Sequence, residues 1–151
     1  GKLDWIMIIE GNRLRQLVNF RYKSARAYVF DAEYNALESK LIEKAYDQFV
    51  WQMKLIGLHR WIKNKLDCDK WAWLFKAYIT ARNALSKRKH AVPVGILCYY
   101  INGDRTRPHM INTYLHFDDG KLTATELEPQ PGNGAKELTE KERDSAWLVA
   151  F

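Results

Sequence analysis

Pro93 divides the sequence into two kinds of hydrophobic pattern, and that division constrains the fold more than any other feature. Before it, apolar residues recur at three- and four-residue steps. From Ala32 to about Leu58, Tyr34, Leu37, Leu41, Ala45, Phe49 and Met53 keep this spacing, while Glu38, Lys40, Glu43, Lys44 and Asp47 occupy the remaining surface. Such a stripe predicts an amphipathic helix. A second helix is predicted from Asp67 to about Leu85, ending in the cationic run Ser86-Lys87-Arg88-Lys89 near its negative pole. After Pro93 the apolar runs have strand length: Val94 to Ile101, Met110 to Phe117 and Lys121 to Glu128. Asp118-Asp119-Gly120-Lys121 joins the last two, and Asp-Gly tolerates the positive φ angles of a tight hairpin. Helices first and strands second predict an α+β fold, with N-terminal helices packed on a C-terminal antiparallel sheet.

The flanking segments carry weaker signals. Trp5 to Ile9 reads as a short strand or the start of a helix, broken at Gly11-Asn12, and Asn12 to Phe20 suits a short helix. Arg26 to Phe30 is an extended lead-in, with Asp31 as the cap of the long helix. Gly57 loosens the end of that helix, and Trp61-Ile62 is expected to anchor the link to the next. Pro129 to Gly134 is an irregular loop, Glu140 to Asp144 a short polar helix or turn, and Ala146 to Phe151 a last strand. With 151 residues, no repeat and no long linker, the expectation is a single domain over residues 1–151.

The stretch with chemical potential is Asp67-Cys68-Asp69. Asp67 is a good N-cap residue, which puts Cys68 at the first helical position. There the helix dipole favours a thiolate over a thiol. A thiol nucleophile also needs a base, and the base needs an orienting group. Of the four histidines, His59 ends a helix and His90 lies in a basic loop. His109 and His116 flank one strand, seven residues apart, and therefore face opposite sides. His109 follows Pro108 at the strand entrance, where a side chain can meet a helix N-terminus. If Asp119-Gly120 form the turn, Asn112 pairs with Leu127 and Ile111 with Glu128. Glu128 then lies diagonal to His109, and Glu126 shares the face one step further away. Either carboxylate could take the Nδ1 proton, leaving Nε2 for the thiol. The plainer alternative is a small buried cysteine beside ordinary strand glutamates. Cys98, inside Ile96-Leu97-Cys98-Tyr99, reads as a core strand residue.

Asp67-Cys68-Asp69 at a helix start, Pro108-His109-Met110-Ile111-Asn112, Asp119-Gly120-Lys121 and Glu128-Pro129-Gln130 follow one another in an order that resembles a group of papain-like proteins. Many of these are uncharacterised proteins of bacteria and their phages, and the papain-like C-terminal domain of a mushroom agglutinin is similar to them. The resemblance covers roughly Arg26 to Gln130. It implies a papain-like fold and a cysteine peptidase or amidase working through a thioester. By carry-over, Cys68 would be the nucleophile, His109 the general base and Glu128 its partner, with Glu126 the alternative. Papain-like enzymes place an oxyanion-stabilising Gln shortly before the cysteine, and Trp61 to Leu66 contains none. Asn64 or the amide of Cys68 could serve instead. The resemblance implies a protein or peptide substrate, and some agglutinin-type relatives need a divalent cation, to which Asp67 and Asp69 could contribute ligands; the residues themselves predict no cofactor or metal. Asp67 and Asp69 read as a cap and a surface carboxylate.

Partner classes are bounded by composition. The net charge of +6 is spread over Lys63/Lys65, Lys87-Arg88-Lys89 and Arg105/Arg107 without a block, which argues against nucleic acid as the main partner. No apolar run of about 18 residues is present to span a membrane as a helix, and no charged-then-apolar leader opens the sequence. Two cysteines do not make a disulfide framework. The expected setting is the cytoplasm of a bacterial host cell or a virion. A non-catalytic protein that keeps the fold to bind a virion or host protein is the competing reading.

Overall fold

The structure, a computed structural model, describes residues 7–151. The sequence reading at Trp5 and Ile6 lies outside the described residues. Strand β1 (Met7–Glu10) is followed directly by helix α1 (Gly11–Arg21). Gly11 was expected to break the pattern, but it opens α1. Its amide donates to the Ala32 carbonyl at 2.7 Å, and a Cβ there would stand 2.5 Å from the Asp31 carbonyl oxygen. Only glycine fits that approach.

Strands β2 (Arg26–Tyr28) and β3 (Glu33–Ala36) come next, and β3 pairs antiparallel with β1 in a two-stranded sheet. The long helix therefore does not begin at Ala32. Tyr34 fits a helical stripe by spacing, yet Tyr34 and its neighbour Ala36 are buried strand residues whose backbone is taken up by β1. Helix α2 runs Ser39–Leu55 and buries Ile42, Tyr46, Phe49 and Met53, so its stripe is rotated from the expected one. Its first amide, on Ser39, donates to the Asp118 carboxylate at 3.1 Å, a cap supplied by the far hairpin rather than by Asp31. At its end Leu58 N–H bonds Met53 C=O and Gly57 N–H bonds Lys54 C=O around Gly57 at φ 84, a Schellman closure. Trp61 and Ile62 are exposed, and Leu66 anchors the link instead.

Helix α3 (Cys68–Ala84) begins at the expected cysteine. The second half follows the sequence reading closely: β4 (Val94–Tyr100), β5 (Pro108–Asp118) and β6 (Lys121–Glu128) are antiparallel, with Asp119 and Gly120 at φ 50 and 75 in the turn. A short β7 (Gly134–Lys136), helix α4 (Glu140–Ser145) with a Thr139/Glu142 capping box, and β8 (Leu148–Ala150) complete the chain. The six-stranded order is β2-β8-β4-β5-β6-β7, and β2 lies parallel to β8. The sheet is thus not wholly C-terminal or antiparallel. Three residues near Arg26 reach back to seal its edge.

Alternation along the strands gives the sheet two apolar faces. Trp71, Ala72, Phe75 and Ile79 of α3 pack on the face carrying Val94, Ile96, Tyr114 and Leu127, and Phe49 of α2 meets Trp71 edge-on at 5.9 Å. The other face, with Leu97, Tyr99, Ile111 and Leu115, takes Leu14 and Val18 of α1. One polar side chain ties α3 to its face. Asn112, fully buried, donates from Nδ2 to the Ala72 carbonyl at 3.0 Å and the Gly95 carbonyl at 3.2 Å. Replacing Asn112 with Ala should cost about 2–3 kcal/mol from two lost bonds and a small cavity. Urea unfolding would read this as a lower midpoint with an unchanged slope.

Candidate functional site

The candidate site forms where the start of α3, the start of β5 and the end of β6 meet. Cys68 is the first residue of α3 and is half-buried. Asp67 holds the N-cap position, but its carboxylate makes no capping bond; it pairs with Lys70 at 3.1 Å. The orphan amides of the first turn are thus left to act on Cys68 and its surroundings.

His109 lies at the second residue of β5, on the sheet face away from α3, yet close enough to the strand's start to reach round to the helix end. Its Nε2 is 2.8 Å from Oε2 of Glu128, and both side chains are largely buried. Nδ1 is then the nitrogen left for Cys68, the reverse of the expected tautomer. The carboxylate reaches the ring from the end of β6, and the thiol at the start of α3 interacts with the same imidazole. Tyr99, cross-strand partner of His109, packs edge-on against the imidazole at 5.8 Å and limits its rotation. Oε1 of Glu128 has no hydrogen-bond partner among the described residues.

The electrostatics follow from these contacts. Interaction with the His109 ring holds the Cys68 thiol below the usual cysteine value, against the desolvation that would raise it, and the Met110 amide adds to the lowering. Burial alone would depress His109, but Cys68 and Glu128 outweigh it and raise the imidazole to about 9. Each group thus favours the charged form of the other: the imidazolium draws the thiol toward thiolate, and the thiol and carboxylate hold the ring protonated. Cys98 is the opposite case: buried on β4, its thiol is pushed up to about 11, chiefly by desolvation.

Two expected residues are not part of this centre. Glu126 sits on the correct face but is buried against α1, where its carboxylate receives Arg21 at 2.7 Å. Its register partner is Thr113, about two strand steps beyond the level of Glu128, so α1 captures it before His109 can. Asn64 is exposed at the tip of the turn closed by Ile62 and Leu66, with φ 62, and its side chain makes no described bond to Cys68 or His109. His116 is engaged elsewhere, between Asp118 and Thr125. Sequence reasoning missed Tyr99, the Met110 amide and Arg21. The β4–β5 register would have revealed Tyr99 opposite His109; nothing in the local sequence signals Arg21.

No family model matches this sequence, and no curated protein does. Solved structures do. One, described as a PSL1a–E64 complex, matches with a TM-score of 0.72 at 20% identity, over 95% of this chain and 50% of that one. Another is Polyporus squamosus lectin bound to the human-type influenza-binding epitope Neu5Acα2-6Galβ1-4GlcNAc, with a TM-score of 0.69 at 20% identity, over 95% and 49%. The chain shares the fold of a mushroom lectin and spans about half the length of those structures. The likeness to a mushroom agglutinin thus holds at the level of fold. The expectation of a cysteine hydrolase, a thiol protease with a catalytic triad in a phage setting, is corrected by these matches, which are to mushroom lectin structures and at 20% identity carry the fold alone. Among the described residues no helix is long and apolar enough to cross a membrane.

The two thiols should differ sharply in reactivity. In folded protein near neutral pH, iodoacetamide should modify Cys68 well before Cys98, read by peptide mass spectrometry. Because the thiol is lowered, its reactivity should persist below the pH where a free cysteine loses it and fall only as pH drops through the folded value. Replacing His109 with Ala should shift that fall to higher pH and slow modification about tenfold or more at neutral pH.

Proposed function

We propose that this chain is a binding protein built on a papain-like fold, and that Cys68, His109 and Glu128 form the centre that meets its ligand. His109 supplies a positive charge, and its ring draws the Cys68 thiol toward the thiolate. Glu128 orients the imidazole and keeps it protonated. The reading rests on one conjunction: a helix-start cysteine faces an imidazole held by Glu128, in a fold whose solved neighbours include lectins. Residues 1–151 then act as one papain-like domain.

Two further observations favour binding over turnover. Amide hydrolysis needs a donor for the oxyanion, worth about 3 kcal/mol for each such group. Asn64, the side chain expected to provide one, is exposed in its turn, which leaves the Cys68 amide as the remaining expected donor. Folds also outlive their chemistry, so a retained ion pair does not by itself imply a reaction. In place of a peptide substrate we take a glycan as the ligand class, because a lectin of this fold is described with a sialylated trisaccharide. That lectin is about twice as long, so glycan recognition by this half alone is what the experiment must establish. E64, the compound in the other complex, is the second ligand to test.

The test is a two-dimensional NMR titration of the whole chain with Neu5Acα2-6Galβ1-4GlcNAc, and separately with E64. Shifts should cluster at Cys68, His109 and Met110, and Cys68→Ala should weaken binding about tenfold. A panel of peptide and amide substrates should show no steady turnover. Turnover that Cys68→Ala abolishes would overturn the binding reading. Glycan shifts confined to another face would move the ligand away from this centre.

A further inference from the structure

A second concavity lies far from Cys68 along α3, between the last turns of that helix and the first half of α2. It encloses about 490 Å³, within the range of small-molecule sites. Its floor is entirely aliphatic: Leu37, Ile42, Ile79 and Val92 are core residues whose outer atoms line it, joined by Leu41 and Ala45. At the mouth stand Lys44 from α2 and Arg82 and Arg88 from the end of α3 and the loop after it. No carboxylate and no aromatic ring lines the site. Leu85, 86% exposed, adds an apolar side chain to the lining.

The cations are held in place. Nε of Arg88 donates to Oδ1 of Asn83 at 2.8 Å, and Asn83 is itself tied to the His90 carbonyl at 2.9 Å. Arg82 lies over the Tyr78 ring at 5.9 Å and reaches Gln48 at 3.4 Å. These contacts occupy only part of each guanidinium, whose remaining N–H groups are free to grip a planar anion in two-point fashion. A sugar would want an aromatic platform and carboxylate acceptors, and the lining offers neither. A cationic amphiphile would meet three like charges.

We propose that this cavity is a binding site for a medium-chain alkyl carboxylate, its chain on the aliphatic floor and its head between Arg82 and Arg88. The site does not depend on the reading of the Cys68 centre. Burial of the chain supplies the non-directional part of the affinity. The carboxylate–guanidinium contact supplies the orientation.

Isothermal titration calorimetry on the full chain tests this with decanoate, kept below the concentration at which it self-associates. One decanoate should bind per chain. Decanol should bind at least about tenfold more weakly, and decyltrimethylammonium should not bind. Arg82→Gln, at an exposed position, should weaken decanoate about tenfold and leave the circular dichroism spectrum unchanged. Ala45→Phe, which fills the floor but keeps the cations, should abolish binding without lowering Tm. Equal binding of decanoate and decyltrimethylammonium would mean detergent-like adsorption and overturn the proposal. So would a folded Arg82→Gln variant that binds as the wild type does, or no decanoate heat from the wild-type protein.

Discussion

Strand β5 sets the geometry of the whole molecule. Its pairing with β6 is fixed by the Asp119-Gly120 turn, and a slip of one residue would turn every side chain to the wrong face. That register places Glu128 beside His109, sends Ile111 and Leu115 into one core and Tyr114 into the other, and points Asn112 at the Ala72 carbonyl. Asn112 in turn holds the first turns of α3 against the sheet, so the position of Cys68 is set from the same strand that carries its histidine. Even the N-terminus of α2 depends on this hairpin, through Asp118.

What the sequence made legible was local. The hairpin, the two strands it joins, the start of α3 and the buried Cys98 each follow from a few adjacent residues whose chemistry leaves little choice. What it hid was long-range. Tyr34 and Leu37 fit a helical stripe by spacing alone, and only pairing with β1 makes the segment around Tyr34 a strand. The three-residue contact of β2 with β8 joins opposite ends of the chain and has no sequence signal. Glu126 shows the same limit within the site. Its face was correctly read, but its partner is Arg21, and the position of α1 over that face is a tertiary fact.

The centre shows how a chemically suggestive constellation can be reached with one assumption reversed. A Cys, His and Glu set was expected and the structure assembles it, yet the carboxylate sits on Nε2 and the thiol is left to Nδ1. Either arrangement stabilises an imidazolium. The ion pair is a property of the fold's geometry: a helix start, a strand start and a carboxylate one diagonal away. Whether such a pair serves reaction or recognition depends on what surrounds it, and the side chain expected to complete the site, Asn64, is exposed in its turn.

The central claim is that Cys68 and His109 exist as thiolate and imidazolium with Glu128 on Nε2. Its most direct test is the imidazole nitrogen NMR spectrum of His109 followed through a pH titration, in the wild-type protein and in Cys68→Ser. The wild-type ring should stay doubly protonated until about pH 9, and the substitution should bring its transition down toward the ordinary histidine range. A wild-type transition near 6.5, unmoved by Cys68→Ser, would contradict the account.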